Sequence, residues 1–172
     1  MPKQKTMAQA TTQLAKIRLL SLDVDGVLTD GGIYYSDKGI TFRKFNAQDG
    51  MGLVRLQKIG IGIIIISAGA PGAIEHRAKR LGIQNVFTNV LDKKKLLSNH
   101  VKSLGGSLSE VAHMGDDVND LPVMAAVGTS IAPANAVLEV INAADIVTNK
   151  KGGNGAVREL CDAIYFAQRH EG

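Results

Sequence analysis

The short apolar run from Ile17 to Leu22 ends in two aspartates, Asp23 and Asp25, with Gly26 and a turn-forming segment directly behind them. Such a run suits a strand at the centre of a parallel sheet, and open α/β sheets gather their ligands at the carboxyl ends of the strands. Extended residues at i and i+2 point the same way, but past a strand end the chain can turn so that one carboxylate and a neighbouring backbone carbonyl share an ion. These hard oxygen ligands suit Mg2+, which screens the approach of an anionic phosphate to an anionic nucleophile. One aspartate can then attack phosphorus while the other delivers and removes a proton. The bland alternative for Asp23 is a turn or capping carboxylate. A calcium loop is disfavoured, because Asp30-Gly31-Gly32-Ile33-Tyr34 supplies neither the further oxygen ligands nor the closing glutamate.

The same layout recurs along the chain. Further strands are expected at 61–66, 86–90, 110–114, 127–132 and 146–147, with helices at 51–59, 73–81, 92–104, 134–141 and 156–168. Ser67-Ala68-Gly69 follows one strand and precedes a helix whose free N–H groups can cradle phosphate; a plain N-cap is the alternative for Ser67. Lys93, Lys94 and Lys95 open the next helix, where positive charge is unfavourable unless an anion is near; Lys93 lies nearest the strand end. Asp116, Asp117 and Asp120 follow Met114, so a metal shared by Asp23, the Asp25 carbonyl and Asp116 would need these two loops side by side. His113 alternates into its strand and reads as a packed histidine. Asp49 can complement a helix N-terminus or face substrate, and Arg158 is a surface charge or an anion clamp.

Residues 1–16 read as an N-terminal extension, and 17–172 as one α/β domain: a Rossmann-like, mostly parallel sheet flanked by helices. The β-formers of segment 31–45, on both sides of Ser36-Asp37-Lys38-Gly39, read as a hairpin insertion. An exposed ribbon bearing Ile33, Tyr34, Phe42 and Phe45 has little to pack on within one subunit, which points to another copy.

Composition narrows the function classes. The 172-residue length allows one such domain, and the single cysteine, Cys161, rules out an intrachain disulfide and a thiolate zinc cluster. No apolar run approaches a membrane span, and the first residues lack a secretory h-region, so a cytoplasmic protein without a membrane partner is expected. The net charge of +4 is mostly scattered and aromatics make up only 4%, which argues against a nucleic-acid partner and fits a small anionic substrate.

Together, Asp23-Val-Asp-Gly26, Ser67, Lys93 and Gly115-Asp-Asp-Val-Asn-Asp120 resemble the four motifs of the haloacid-dehalogenase-like phosphatases. The hairpin in place of a cap domain, Phe45-Asn-Ala-Gln-Asp-Gly50 and Gly152-Gly-Asn-Gly-Ala-Val-Arg-Glu159 resemble the 3-deoxy-D-manno-octulosonate 8-phosphate phosphatase family. The resemblance implies an Mg2+-dependent homotetramer, joined through the hairpins and acting on a small sugar phosphate, whose C-terminal tail can close a neighbour's site. It implies Asp23 as nucleophile and metal ligand, Asp25 as acid/base and carbonyl ligand, and Asp116 as the third protein ligand. Ser67 and Lys93 then hold the phosphoryl oxygens, and Asp120 orients Lys93 or a water on the metal. Asn46, Asp49, Ala68, Gly69 and Arg158 complete the substrate-binding set. Members usually continue Gly-Arg after the motif Ser/Thr, whereas this chain has Ala68-Gly69, so the sugar is open between the octulosonate and a nonulosonate 9-phosphate. An inactive oligomerisation module is the remaining alternative.

Overall fold

The structure, a computed structural model, describes residues 4–170. In chain order its strands are β1 (Leu19–Leu22), β2 (Tyr34–Tyr35), β3 (Thr41–Phe42), β4 (Gly62–Ile66), β5 (Asn85–Phe87), β6 (Val111–Met114), β7 (Thr129–Ala132) and β8 (Ile146–Val147). The helices are α1 (Thr11–Ala15), α2 (Ala47–Lys58), α3 (Ala73–Arg80), α4 (Lys93–Ser103), α5 (Leu121–Met124), α6 (Leu138–Ala143) and α7 (Ala156–His170). Six strands form a parallel sheet in the order β5-β4-β1-β6-β7-β8. β1 is central, with Leu22 in register with Ile65 on one side and Met114 on the other.

Isoleucine at every position of β4 after Gly62 reflects cover on both faces. Ile63 and Ile65 enter a core with Leu53, Leu56, Leu160 and Ile164, whereas Ile64 and Ile66 enter a second core with Leu97, Val101 and Val123. The period of two therefore divides one strand between two layers of helices. The expected α/β architecture is present, with the β2–β3 ribbon as a separate two-stranded insertion.

Several boundaries differ from expectation for local reasons. The helix expected over 134–141 begins only at Leu138, because Asn135 is drawn elsewhere: its amide donates to the Gly26 carbonyl at 3.0 Å and accepts from the Gly152 N–H at 2.6 Å. β5 stops at Phe87, after which Asn89 takes a positive φ of 55°. The described part of the N-terminal segment runs back over the domain. Lys5 N–H donates to Asp145 O at 2.9 Å, and Leu14 is buried in the main core.

Asp49, expected to face substrate or cap a helix, is buried in α2 and accepts from the Arg158 N–H at 2.8 Å, capping α7 from outside that helix. Burial raises its pKa above the ordinary carboxylate range, against the lowering effect of the Arg158 and Gly155 amides. Asp49→Ala leaves donors at a buried helix end without an acceptor. It should destabilise the fold by about 1–2 kcal/mol, read as a lower urea midpoint at unchanged slope; an unchanged midpoint would remove the capping role.

Candidate active site

The carboxyl ends of β1, β4 and β6 place Asp23, Ser67 and Asp116 around one cleft of about 250 Å³, lined also by Asp25, Gly31, Ala68, Gly69, Asp117 and Asn119. Gly26 makes the first turn possible. Its φ is +84°, and a Cβ there would collide with the Asp116 carboxylate, so the backbone can approach that aspartate only without a side chain. The loop is held from behind, because Gly153 N–H donates to Val27 O at 3.0 Å and Asn135 holds the Gly26 carbonyl. Ser67 is buried and its Oγ accepts from the Gly69 N–H at 3.0 Å, while Val90 N–H donates to Ser67 O at 3.0 Å. The phosphate-cradle candidate is thus a tied loop.

Lys93 reaches in from the first residue of α4. Its Nζ lies 2.9 Å from Asp23 Oδ1 and 2.7 Å from Asp120 Oδ1, with the lysine side chain 2% exposed. Desolvation works against its charge, but Asp23 and Asp120 outweigh it and hold the ammonium pKa above the usual lysine value. Asp120 is satisfied on all sides. Its Oδ1 also meets His113 Nε2 at 3.3 Å, and its Oδ2 accepts from the Asp116 N–H at 3.1 Å. Burial alone would raise the Asp120 pKa; the His113 hydrogen bond and the Lys93 charge bring it below the ordinary value. With its proton on Nε2, His113 donates to Asp120 and accepts at Nδ1 from Ser21 Oγ, 2.9 Å away across the β1–β6 pair.

Asp23 and Asp116 carry the strain of this crowding. Burial, then the Asp120 charge, raises the Asp23 pKa despite Lys93, and Asp116 is pushed up to about 7 by burial and the charges of Asp23, Asp120 and Asp117. Asp23, Asp116 and Asp120 each offer a carboxylate oxygen, and these atoms lie within 4.8 Å of one another. Three hard oxygen donors against one ammonium fit a divalent cation, which supplies the missing positive charge. Asp120 is the least available of the three, because its oxygens already accept from Lys93, His113 and backbone.

The structure does not bring every expected site residue here. Asn46 is the N-cap of α2, accepting from Gln48 N–H at 2.8 Å and Asp49 N–H at 3.2 Å. Arg158 donates through Nε to Asp162 at 2.8 Å, and Asp49 caps α7. None of the three lines the cleft of this chain; Asn46 and Asp49 cap helices and Arg158 pairs along α7. His113 is the packed histidine expected, a polar position opposite Ser21 inside two otherwise apolar strands, and it also meets Asp120. One residue that the sequence did not single out belongs here too. Arg43, at the base of the hairpin, had no such signal, yet its guanidinium grips Asp25 through Nε and Nη2 at 2.7 and 3.2 Å.

An open parallel sheet with paired aspartates after its central strand, and a serine, a lysine and further aspartates at the neighbouring strand ends, defines the haloacid-dehalogenase-like class. A family model described as haloacid dehalogenase-like hydrolase matches residues 78–160. The chain is 42% identical over 154 residues to a 3-deoxy-D-manno-octulosonate 8-phosphate phosphatase of Yersinia pestis, spanning 90% of this chain and 82% of that relative. A second relative carrying that name, from Escherichia coli K12, is 40% identical over 161 residues, 94% of this chain and 86% of its own. The Moraxella catarrhalis enzyme of that name, solved in complex with magnesium ion, phosphate ion and a KDO molecule, superposes with a TM-score of 0.92 at 38% identity, covering 95% of this chain and 94% of its own. The chain belongs to the 3-deoxy-D-manno-octulosonate 8-phosphate phosphatase family of haloacid-dehalogenase-like hydrolases.

The crowded carboxylates make metal binding a proton-releasing event. An Asp116 titrating at about 7 must lose its proton to become a ligand, so affinity for a divalent ion should fall as pH drops below that value. Calorimetric titration with Mg2+ at pH 7 in buffers of different ionisation enthalpy should report proton release, lost in Asp116→Asn. Binding without any buffer dependence would contradict the raised Asp116.

Proposed function

We propose that this chain hydrolyses 3-deoxy-D-manno-octulosonate 8-phosphate to the free sugar acid and phosphate through an aspartyl-phosphate, with Mg2+ as its metal. The observation that carries this reading is the Asp23–Lys93–Asp120 ion cluster, buried beside Ser67 and Asp116 at one sheet edge, in a chain of this family. Asp23, Asp116 and the Asp25 carbonyl would hold the ion, which supplies positive charge against the phosphoryl group when bound. Ser67 and Lys93 hold phosphoryl oxygens, and Lys93 offsets charge on Asp23. An Asp23 oxygen attacks phosphorus and the P–O bond to the sugar breaks, while Asp25 gives its proton to the departing sugar oxygen. Asp25, now a carboxylate, takes a proton from the water that attacks the acyl phosphate, which frees phosphate and restores Asp23. Asp120 orients Lys93 throughout.

Asp23→Asn should lower phosphate release by about 10^4-fold or more while leaving the circular dichroism spectrum intact, because little volume changes. Wild-type protein in Mg2+ should prefer the octulosonate 8-phosphate over a nonulosonate 9-phosphate and hexose phosphates. A preference for the nonulosonate would transfer the substrate to that sugar, and turnover surviving in Asp23→Asn would sink the mechanism.

The hairpin supports a homotetramer. Tyr34, Tyr35, Ile40 and Phe42 are between 55% and 70% exposed, an apolar ribbon of two short strands that cannot be stable alone in water. Light scattering should give the mass of four chains for the wild type and a smaller particle for Phe42→Asp. A monomeric wild type at micromolar concentration would dispose of the assembly. Among the described residues no helix is long and apolar enough to cross a membrane.

A further inference from the structure

Ser67-Ala68-Gly69 brings no charge of its own to the cleft, yet a cation stands directly over it. A Cβ built on Gly69 would lie 2.8 Å from Arg43 Nη2, 3.2 Å from Asp25 Oδ2 and 3.2 Å from Ser67 Oγ. The absence of a side chain at 69 is what lets the guanidinium settle against Asp25. The Arg43 side chain is 3% exposed and that of Asp25 26%, so the arginine is the buried partner and the aspartate keeps an open edge on the cleft. The hydrogen bond to Asp25, which outweighs desolvation, raises the Arg43 pKa above its ordinary value.

We infer that Arg43 is the positioning residue of the acid/base Asp25: it enters from the hairpin through the space left by Gly69 and holds both carboxylate oxygens in one plane. The inference rests on the aspartyl-phosphate reading above. A planar fork matched to a carboxylate fixes its rotation, which a single ammonium cannot do. The fixed charge also lies beside the carboxylate that remains when the proton passes to the sugar oxygen. The same grip then presents Asp25 to the water that attacks the acyl phosphate. Arg43 acts through Asp25, so its loss should slow chemistry rather than weaken substrate binding.

The test is steady-state turnover of octulosonate 8-phosphate in saturating Mg2+ by the full chain, with wild type and Asp23→Asn run alongside. Arg43→Ala should lower kcat by about 10- to 100-fold with KM within a few-fold of wild type, the usual cost of removing a group that orients a reacting one. Arg43→Lys, retaining charge but only one contact, should fall between the two. A KM effect with kcat unchanged would make Arg43 a substrate contact instead, and wild-type values in Arg43→Ala would remove the role altogether. Should Arg43→Ala fail to fold by circular dichroism, Arg43→Lys decides alone: a lower kcat at constant KM supports the assignment, and wild-type kcat overturns it. An inactive wild type would defeat the phosphatase reading itself, whereas an active wild type, an inactive Asp23→Asn and an unimpaired Arg43→Ala would defeat only this inference.

Discussion

Lys93 Nζ stands between two buried carboxylates, 2.9 Å from Asp23 and 2.7 Å from Asp120, and the rest of the sheet edge is arranged around that contact. Burying charge costs several kcal/mol per ion unless partners compensate, and here one ammonium serves two carboxylates with a third close by. The deficit is met unevenly. Asp120 is saturated by Lys93, His113 and backbone amides, so it anchors the lysine; Asp23 and Asp116 keep the unmet demand for positive charge. That division separates the carboxylate already held on all sides from the two still open to a cation. Apart from Ser21 and Gly62, β1 and β4 are aliphatic strands that bring distant loops into one place.

Support for the cleft arrives from three directions. The turn after β1 is clasped from below by Asn135 and by the Gly152–Gly153 backbone, which ties two remote loops to Gly26 and Val27. Behind the lysine, His113 joins Asp120 to Ser21 through the middle of the sheet. The hairpin supplies Arg43 from above. The ribbon that exposes the aromatic residues is therefore the same segment that grips Asp25, so the exposed face and the hold on that carboxylate are features of one short piece of chain.

Much of this was legible in the sequence because open parallel sheets punctuate themselves. Aliphatic runs that stop at Asp23, Ser67 and Asp116 mark the strand ends, and a lysine opening a helix is unusual enough to announce Lys93. The expected helix over 134–141 was shortened because Asn135 is recruited by a loop more than a hundred positions away, which no local pattern encodes. Asn46, Asp49 and Arg158 were ambiguous for a related reason: the residue types that cap helices are those that bind sugars, and it is the path of α7 past α2 that sets Asp49 on an α7 amide. Arg43 was hidden because its partner depends on how the hairpin leans back over the sheet. Two adjacent basic residues in a ribbon do not reveal that one is buried and the other exposed.

The close crossing of α2 and α7 gives the lone thiol an unusual standing. A Cβ on Gly52 would come within 2.9 Å of Cys161 Cβ, so the helices meet backbone to side chain there, and Cys161 is wholly buried with its pKa pushed well up by desolvation and nearby aspartates. A thiol in that state is nearly inert, since thiolate is the reactive form and no reagent can reach it. With no other cysteine in the chain, alkylation is silent until these two helices part. The molecule thus carries its own clock for opening: the rate at which it takes up a thiol label records how often the layer beneath the sheet comes undone.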